Sequence, residues 1–97
     1  MELDEMKLRA GEVAELLKTM AHQERLMVLC QLIEGEVGVT QLQAGSELSQ
    51  SAFSQQLSVL RKNGLVAVRK ESQQVFYSLS DPRIKALIIS LHGIFCV

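Results

Sequence analysis

Apolar residues recur at spacings of three and four from Asp4 to Met20. Met6, Ala10, Val13, Leu16, Leu17 and Met20 fall on one face, which predicts a helix. His22 to Ile33 predicts a second helix with a wider apolar face, made by Leu26, Leu29, Cys30 and Ile33 with Val28 and Leu32 beside them. A face that wide is expected to be almost wholly buried. Gly35 between Glu34 and Glu36 is a suitable stop. A short third helix is expected from Thr40 to Ser46, with Thr40 as its N-cap and a weak end at Gly45-Ser46.

Ser49 offers the N-cap of a fourth helix, and Asn63-Gly64 its end, because glycine takes the left-handed conformation that a helix stop requires. Phe53, Leu57 and Leu60 share one side of it; Ser51, Ser54, Gln55, Ser58 and Lys62 share the other. The period then changes to two in VAVRKESQQVFYSL: Val66 and Val68 alternate with Ala67 and Arg69, and Val75, Tyr77 and Leu79 with Phe76 and Ser78. This predicts a two-stranded hairpin with a polar tip at Ser72-Gln73. Asp81-Pro82 opens a last helix, Asp81 as N-cap and Pro82 at the first helical position. Its apolar face comprises Ile84, Leu87, Ile88, Leu91 and Phe95.

The predicted order is helix, helix, short helix, helix, hairpin, helix. That is a mainly α (α+β) winged helix-turn-helix: five helices with a two-stranded wing, in which the second helix of the motif enters a DNA major groove. Residues 1–97 are expected to form one domain, small enough to be marginal without a partner chain. Net charge is −1, which by itself argues against a polyanionic ligand, but the distribution changes the picture. Residues 1–37 carry eight acids and four bases (net −4), residues 38–70 one acid and four bases (net +3), and residues 71–97 two of each (net 0). The basic third contains the fourth helix, and a local basic patch is the electrostatic footprint of nucleic-acid binding.

Within that third, SQSAFSQQLSVLRKNGLV carries no charge before Arg61. Ser49, Gln50, Ser51, Ser54, Gln55, Gln56 and Ser58 are candidates for contacting DNA, since Gln can pair with adenine and Ser can bond a base edge or a phosphate. Arg61 and Lys62, two turns on, and Arg69, Lys70 and Gln73 on the hairpin are candidates for the backbone or the minor groove. The start, MELDEMKLRAG, lacks the apolar segment of a signal peptide, and no run is long enough to span a bilayer, so a cytoplasmic protein is expected, at the nucleoid when bound to DNA.

Three stretches resemble the ArsR/SmtB family of dimeric bacterial winged-helix regulators: MAHQERLMVLCQL, LSQSAFSQQLSVLRKNGLV and VFYSL. Their order and combined span cover nearly the whole chain. The resemblance implies a transcriptional regulator rather than an enzyme, a homodimer through the first and last helices, and two recognition helices on a near-palindromic double-stranded operator. Gln56 stands where the family often has His, and Ser46 where it often has Leu.

The resemblance also bears on what is sensed. One metal-sensing type has cysteines on the third helix, where this chain reads VGVTQLQ; another has a carboxylate and histidines on the last helix. Here Asp81 is followed by Arg83 where a His would be wanted, only His92 remains, and Ile94 and Val97 cannot ligate. No metal and no cofactor are expected. The two cysteines, Cys30 and Cys96, resemble those of the HlyU/BigR/SqrR branch, which implies a switch driven by oxidants or reactive sulfur species and a link to virulence regulation. A bridge would tie the central helix to the dimer-forming helix, as a disulfide if the Cα atoms lie within about 4.4–6.8 Å, or as a polysulfide across a wider gap. The plainer alternatives are a buried core thiol at Cys30 and a fraying terminal residue at Cys96. Two further readings stand beside this one: a regulator indifferent to redox state, and a winged-helix protein-interaction module without DNA specificity. His22 is expected exposed at a helix start and His92 partly buried.

Overall fold

The computed structural model describes residues 2–96. Met1 and Val97, the latter expected to be a non-ligating terminus, lie outside the described residues. The elements run α1 (Leu3–Met20), α2 (Gln23–Gln31), β1 (Val37–Gly38), α3 (Val39–Ala44), α4 (Gln50–Lys62), β2 (Val66–Glu71), β3 (Gln74–Leu79) and α5 (Pro82–Phe95). Five helices and one antiparallel sheet make the expected winged helix-turn-helix.

Helix ends written in local side chains sit where expected. The Ser49 hydroxyl accepts from the Ala52 amide at 3.2 Å, satisfying one of the orphan donors of α4. Asp81 does the same for Arg83 N at 2.8 Å, with Pro82 following it. At the far end of α4 the Gly64 amide donates to Arg61 O and the Leu65 amide to Leu60 O, with Gly64 at φ +77°. This paired closure seals the last turn, and Leu60 and Leu65 are both buried beneath it.

Four local expectations are corrected. α3 begins at Val39, capped by the backbone of Gly38 without a side-chain bond, so Thr40 is not its N-cap. The reason is a strand the alternation did not reveal: Val37 and Gly38 pair with Tyr77 and Phe76, and α3 starts directly from that strand. The sheet therefore has three strands in the order β1-β3-β2, one more than a hairpin. His22 is the N-cap of α2, half-buried, its Nδ1 accepting from Glu24 N at 3.1 Å. His92, in contrast, is exposed.

The core forms where α2, α4 and α5 meet over the base of the sheet. Val28, Leu29 and Leu32 of α2 and its end pack with Phe53, Leu57 and Leu60 of α4, Ile84 and Ile88 of α5, and Leu65 and Val66 at the start of β2. The full width of the α2 face is not covered, since Leu26, Cys30 and Ile33 are only half-buried. α1 contributes little: Met20 is buried and Leu16 half-buried, while Met6, Val13 and Leu17 of the same apolar stripe remain about half exposed. The end of α5 behaves alike, with Ile94 at 68% and Phe95 at 79% exposure, so Phe95 does not join the core of this chain. Among the described residues no helix is long and apolar enough to cross a membrane.

Candidate nucleic-acid interface

α4 presents a polar face because its apolar residues are spent on the core. With Phe53, Leu57 and Leu60 turned inward, helical geometry turns Ser51, Ser54, Gln55, Ser58, Arg61 and Lys62 outward, and all six are exposed. Ser54, Gln55, Ser58, Val59 and Lys62 line a shallow groove along this face. Ser49 and Gln50 are exposed at the helix start. Ser49 is already engaged as the cap and lies 3.5 Å from the Ser51 hydroxyl. Arg61 and Lys62 occupy the last turn, where cations also complement the carbonyl end of the helix.

Gln56 differs from its neighbours. It is half-buried, and its carbonyl accepts a 2.7 Å hydrogen bond from Arg25 Nη1 of α2. Arg25 Nε in turn donates to Thr19 O of α1 at 2.6 Å. α2 is also tied to the turn after α3, where the Ser46 hydroxyl donates to Glu24 and accepts from Leu48 N. A polar residue therefore replaces an apolar contact at Ser46 by pinning the turn ahead of α4.

On the wing, Lys70 and Gln73 are exposed, and Ser72 turns the tip with φ +55°. Arg69 is not free. It donates to both carboxylate oxygens of Glu36 at 2.7 and 2.9 Å and to Glu71 at 2.7 Å, and its guanidinium lies 4.7 Å from the centre of the Phe76 ring. The hydrogen bond from Arg69 holds the Glu36 carboxyl below its ordinary range, and the two carboxylates push the arginine further from deprotonation. Arg25 and Glu36 are thus parts of this surface that sequence patterns did not mark. Their partners lie 31 and 33 residues away, beyond any local signal.

Cys30 is half-buried on α2 and Cys96 exposed at the end of α5, and both thiols are free. Burial pushes the Cys30 thiol up, with a smaller push in the same direction from Cys96. A cleft of about 300 Å³ opens beside Cys30, lined also by Gln31, Ile33, Glu34, Ile89 and His92, while Cys96 does not line it. Among the described residues no three His, Cys, Asp or Glu side chains gather as a metal site. Asp81 is paired with Arg83 at 2.8 Å, and that pairing keeps its carboxyl below the usual range.

Residues 22–68, from the α2 cap into the wing, match the family described as bacterial regulatory protein, arsR family. The transcriptional activator HlyU of Vibrio cholerae is 48% identical over 96 residues, which covers 99% of this chain and 89% of HlyU. The biofilm growth-associated repressor of Agrobacterium fabrum is 48% identical over 94 residues, covering 97% and 80% respectively. The structure of reduced HlyU from Vibrio cholerae N16961 superposes with a TM-score of 0.93 at 47% identity, covering 98% of this chain and all of that one. These relatives are regulators of transcription, not enzymes. The chain belongs to the ArsR family and is a DNA-binding transcriptional regulator of winged helix-turn-helix fold.

Proposed function

We propose that residues 1–97 act as one dimerising winged-helix unit that holds a near-palindromic operator through two copies of α4, and that Cys30 and Cys96 switch that occupancy. The uncharged Ser and Gln stripe of α4, exposed and ending in Arg61 and Lys62, carries the first half of the reading. Ser51, Ser54, Gln55 and Ser58 face base edges; Arg61, Lys62 and Lys70 neutralise phosphates and supply the salt-dependent affinity. Dimerisation follows from the apolar surface left on α1 and α5, where Val13, Leu17, Ile89, Ile94 and Phe95 are all close to half exposed or more. A chain of 97 residues seldom leaves so much apolar side chain in water without a partner.

The thiol half rests on two free thiols, Cys30 half-buried on α2 and Cys96 exposed at the end of α5, and on a relative whose structure is of a form described as reduced. On oxidation by an inorganic polysulfide the two thiols lose two protons and two electrons, which release one polysulfide sulfur as sulfide, and a bridge of two sulfurs, or of more where zero-valent sulfur from the same polysulfide is retained between them, joins α2 to α5. Because α5 belongs to the dimer surface and α2 braces α4 through Arg25, the bridge changes the relative setting of the two recognition helices. The named relatives are an activator and a repressor, and a single mode of DNA occupancy serves both outcomes. No metal enters this cycle, and the setting is the cytoplasm.

The test is fluorescence anisotropy on a labelled fragment from upstream of the protein's own gene, at fixed salt. Reduced protein is compared with protein treated with polysulfide. Tight binding lost on treatment and restored by reductant supports the switch. Tight binding indifferent to treatment demotes both cysteines to packing, and absence of binding to this fragment and to a randomised duplex pool removes the operator reading.

A further inference from the structure

We infer that Arg25 is a positioning residue that sets which spacing of operator half-sites the regulator accepts, and that Gln56 serves it as the handle on α4. This rests on the reading of a dimer through α1 and α5 with α4 in the major groove. Gln56 lies three residues after Phe53 and four before Leu60, both buried. It therefore stands at the flank of the inward face of α4, away from the exposed stripe of Ser51, Ser54, Gln55 and Ser58. There its carbonyl oxygen accepts from Arg25 Nη1 at 2.7 Å. The same guanidinium donates through Nε to Thr19 O at 2.6 Å, taking up one of the carbonyls that a helix leaves over at its end. Both donors belong to one rigid plane, and both bonds are charge-assisted. Arg25 and Gln56 are half-buried, so water competes for the link only in part.

The link bridges a gap. A cleft of about 430 Å³ opens where α1 faces the end of α4, lined in part by Leu16 and Thr19 of the one and by Asn63 and Gly64 after the other. Core packing holds α4 close to α2, but apolar burial is non-directional, and directed bonds are what fix rotation and slide. Glu24, beside Arg25, anchors the turn ahead of α4 through Ser46. Arg25 anchors the middle of the helix, and of the two it is the one that also grips α1. Thr19 is two residues from Leu17, which is 46% exposed and belongs to the apolar surface assigned to the dimer. The path from dimer surface to recognition helix therefore runs Leu17, Thr19, Arg25, Gln56. A two-fold axis uses that path twice, so a change at Arg25 acts twice on the separation of the two α4 helices. The bases read within a half-site depend on the exposed stripe and stay the same.

The experiment first selects duplexes from a randomised pool with wild type, which gives the half-site and its preferred spacing. Anisotropy at fixed salt then compares that duplex with two whose spacing is one base pair longer or shorter, a change of about 3.4 Å and about a tenth of a turn. Wild type should lose at least about tenfold on either, the scale of one forfeited base contact. Two variants break the link. Gln56→Met removes the acceptor; Arg25→Met combined with Gln56→Met removes both partners and strands no donor, and thermal melts verify that each is folded. In both, the spacing penalty should shrink about fivefold, the scale of one net hydrogen bond, while the half-site selected from the pool remains that of wild type. Gln56→Glu keeps an acceptor for Arg25 and should keep the wild-type penalty; its added charge cancels, because the penalty is a ratio within one protein. A brace that only stabilised the fold would lower the melting temperature and leave the penalty untouched. A wild-type penalty in the folded variants overturns the inference, and so does a changed half-site, since Gln56 would then be reading a base. With paired half-sites selected by wild type, such a failure belongs to Arg25 alone and the dimer reading stands. If wild type selects no paired half-sites, the dimer reading falls and the inference with it.

Discussion

The wing carries an arginine that the free protein keeps for itself, and Glu36→Gln should release it. In the free chain three donors of Arg69 are satisfied by carboxylates, two of them by Glu36 at 2.7 and 2.9 Å. A phosphate can recruit Arg69 only by displacing that pair, and a displaced carboxylate beside DNA is repelled. The substituted amide would keep one neutral acceptor and remove the charge. If Arg69 then joins the phosphate contacts, the slope of log K against log salt steepens by about 0.9 per protomer, or about 1.8 for two wings. Between 50 and 200 mM salt this is about a twelvefold larger loss of affinity than wild type shows. Anisotropy titrations on one duplex at several salt concentrations measure the slope directly. Arg69→Ala placed in the Glu36→Gln background should return the slope to that of wild type. An unchanged slope in Glu36→Gln refutes the masking argument. The sign with pH is also defined: Arg69 depresses the Glu36 carboxyl, so the tie is complete above the ordinary carboxylate range and loosens only as pH falls through the depressed value.

Four other outcomes are expected. Gln55→Ala should cost about 1–3 kcal/mol on the specific operator and little on random duplex, measured by anisotropy; equal losses on both would remove it from base reading. Cys96→Ser should leave reduced binding intact and abolish release by polysulfide, and normal release would rule out the pair. Leu60 is fully buried, so Leu60→Ala should destabilise by about 2–5 kcal/mol in urea melts. Phe95→Glu should weaken the proposed homodimer at least about tenfold in sedimentation velocity, since it puts a charge on the most exposed apolar residue of α5.

Features written in neighbouring residues are legible in the sequence alone. Ser49, Gly64 and Asp81 each act on groups within a few positions of themselves, so their roles as caps and stops can be read directly. The exposed stripe of α4 is equally legible, because three buried residues fix the phase of the helix. Thr40 misleads because Val37-Gly38 is a strand only by virtue of pairing with residues some forty positions away. A two-residue strand has no periodicity of its own. Gln56 and Arg69 share the alphabet of their neighbours, yet both are engaged by distant side chains, Arg25 and Glu36. Composition can nominate such residues but cannot say which of their atoms are already spoken for. The apolar stripe of α1 is visible too, but whether a stripe is buried depends on what lies opposite, and within one chain very little does.

β1 has one further effect, on the entropy of binding. A lone hairpin is marginally ordered in water and would be fixed only on reaching DNA. Here Val37 and Gly38 stitch the base of the wing, at Tyr77 and Phe76, to the segment leaving α2. The stitched rows include Val68 and Arg69 of β2, leaving the stretch from Lys70 to Val75 as the part that projects beyond the third strand. Ordering a residue costs about 1–2 kcal/mol of backbone entropy, and most of the wing has already met that cost in folding. Two residues of strand thereby shorten the fluctuating part of the wing to its tip, so that more of each phosphate contact proposed for the wing would survive as affinity.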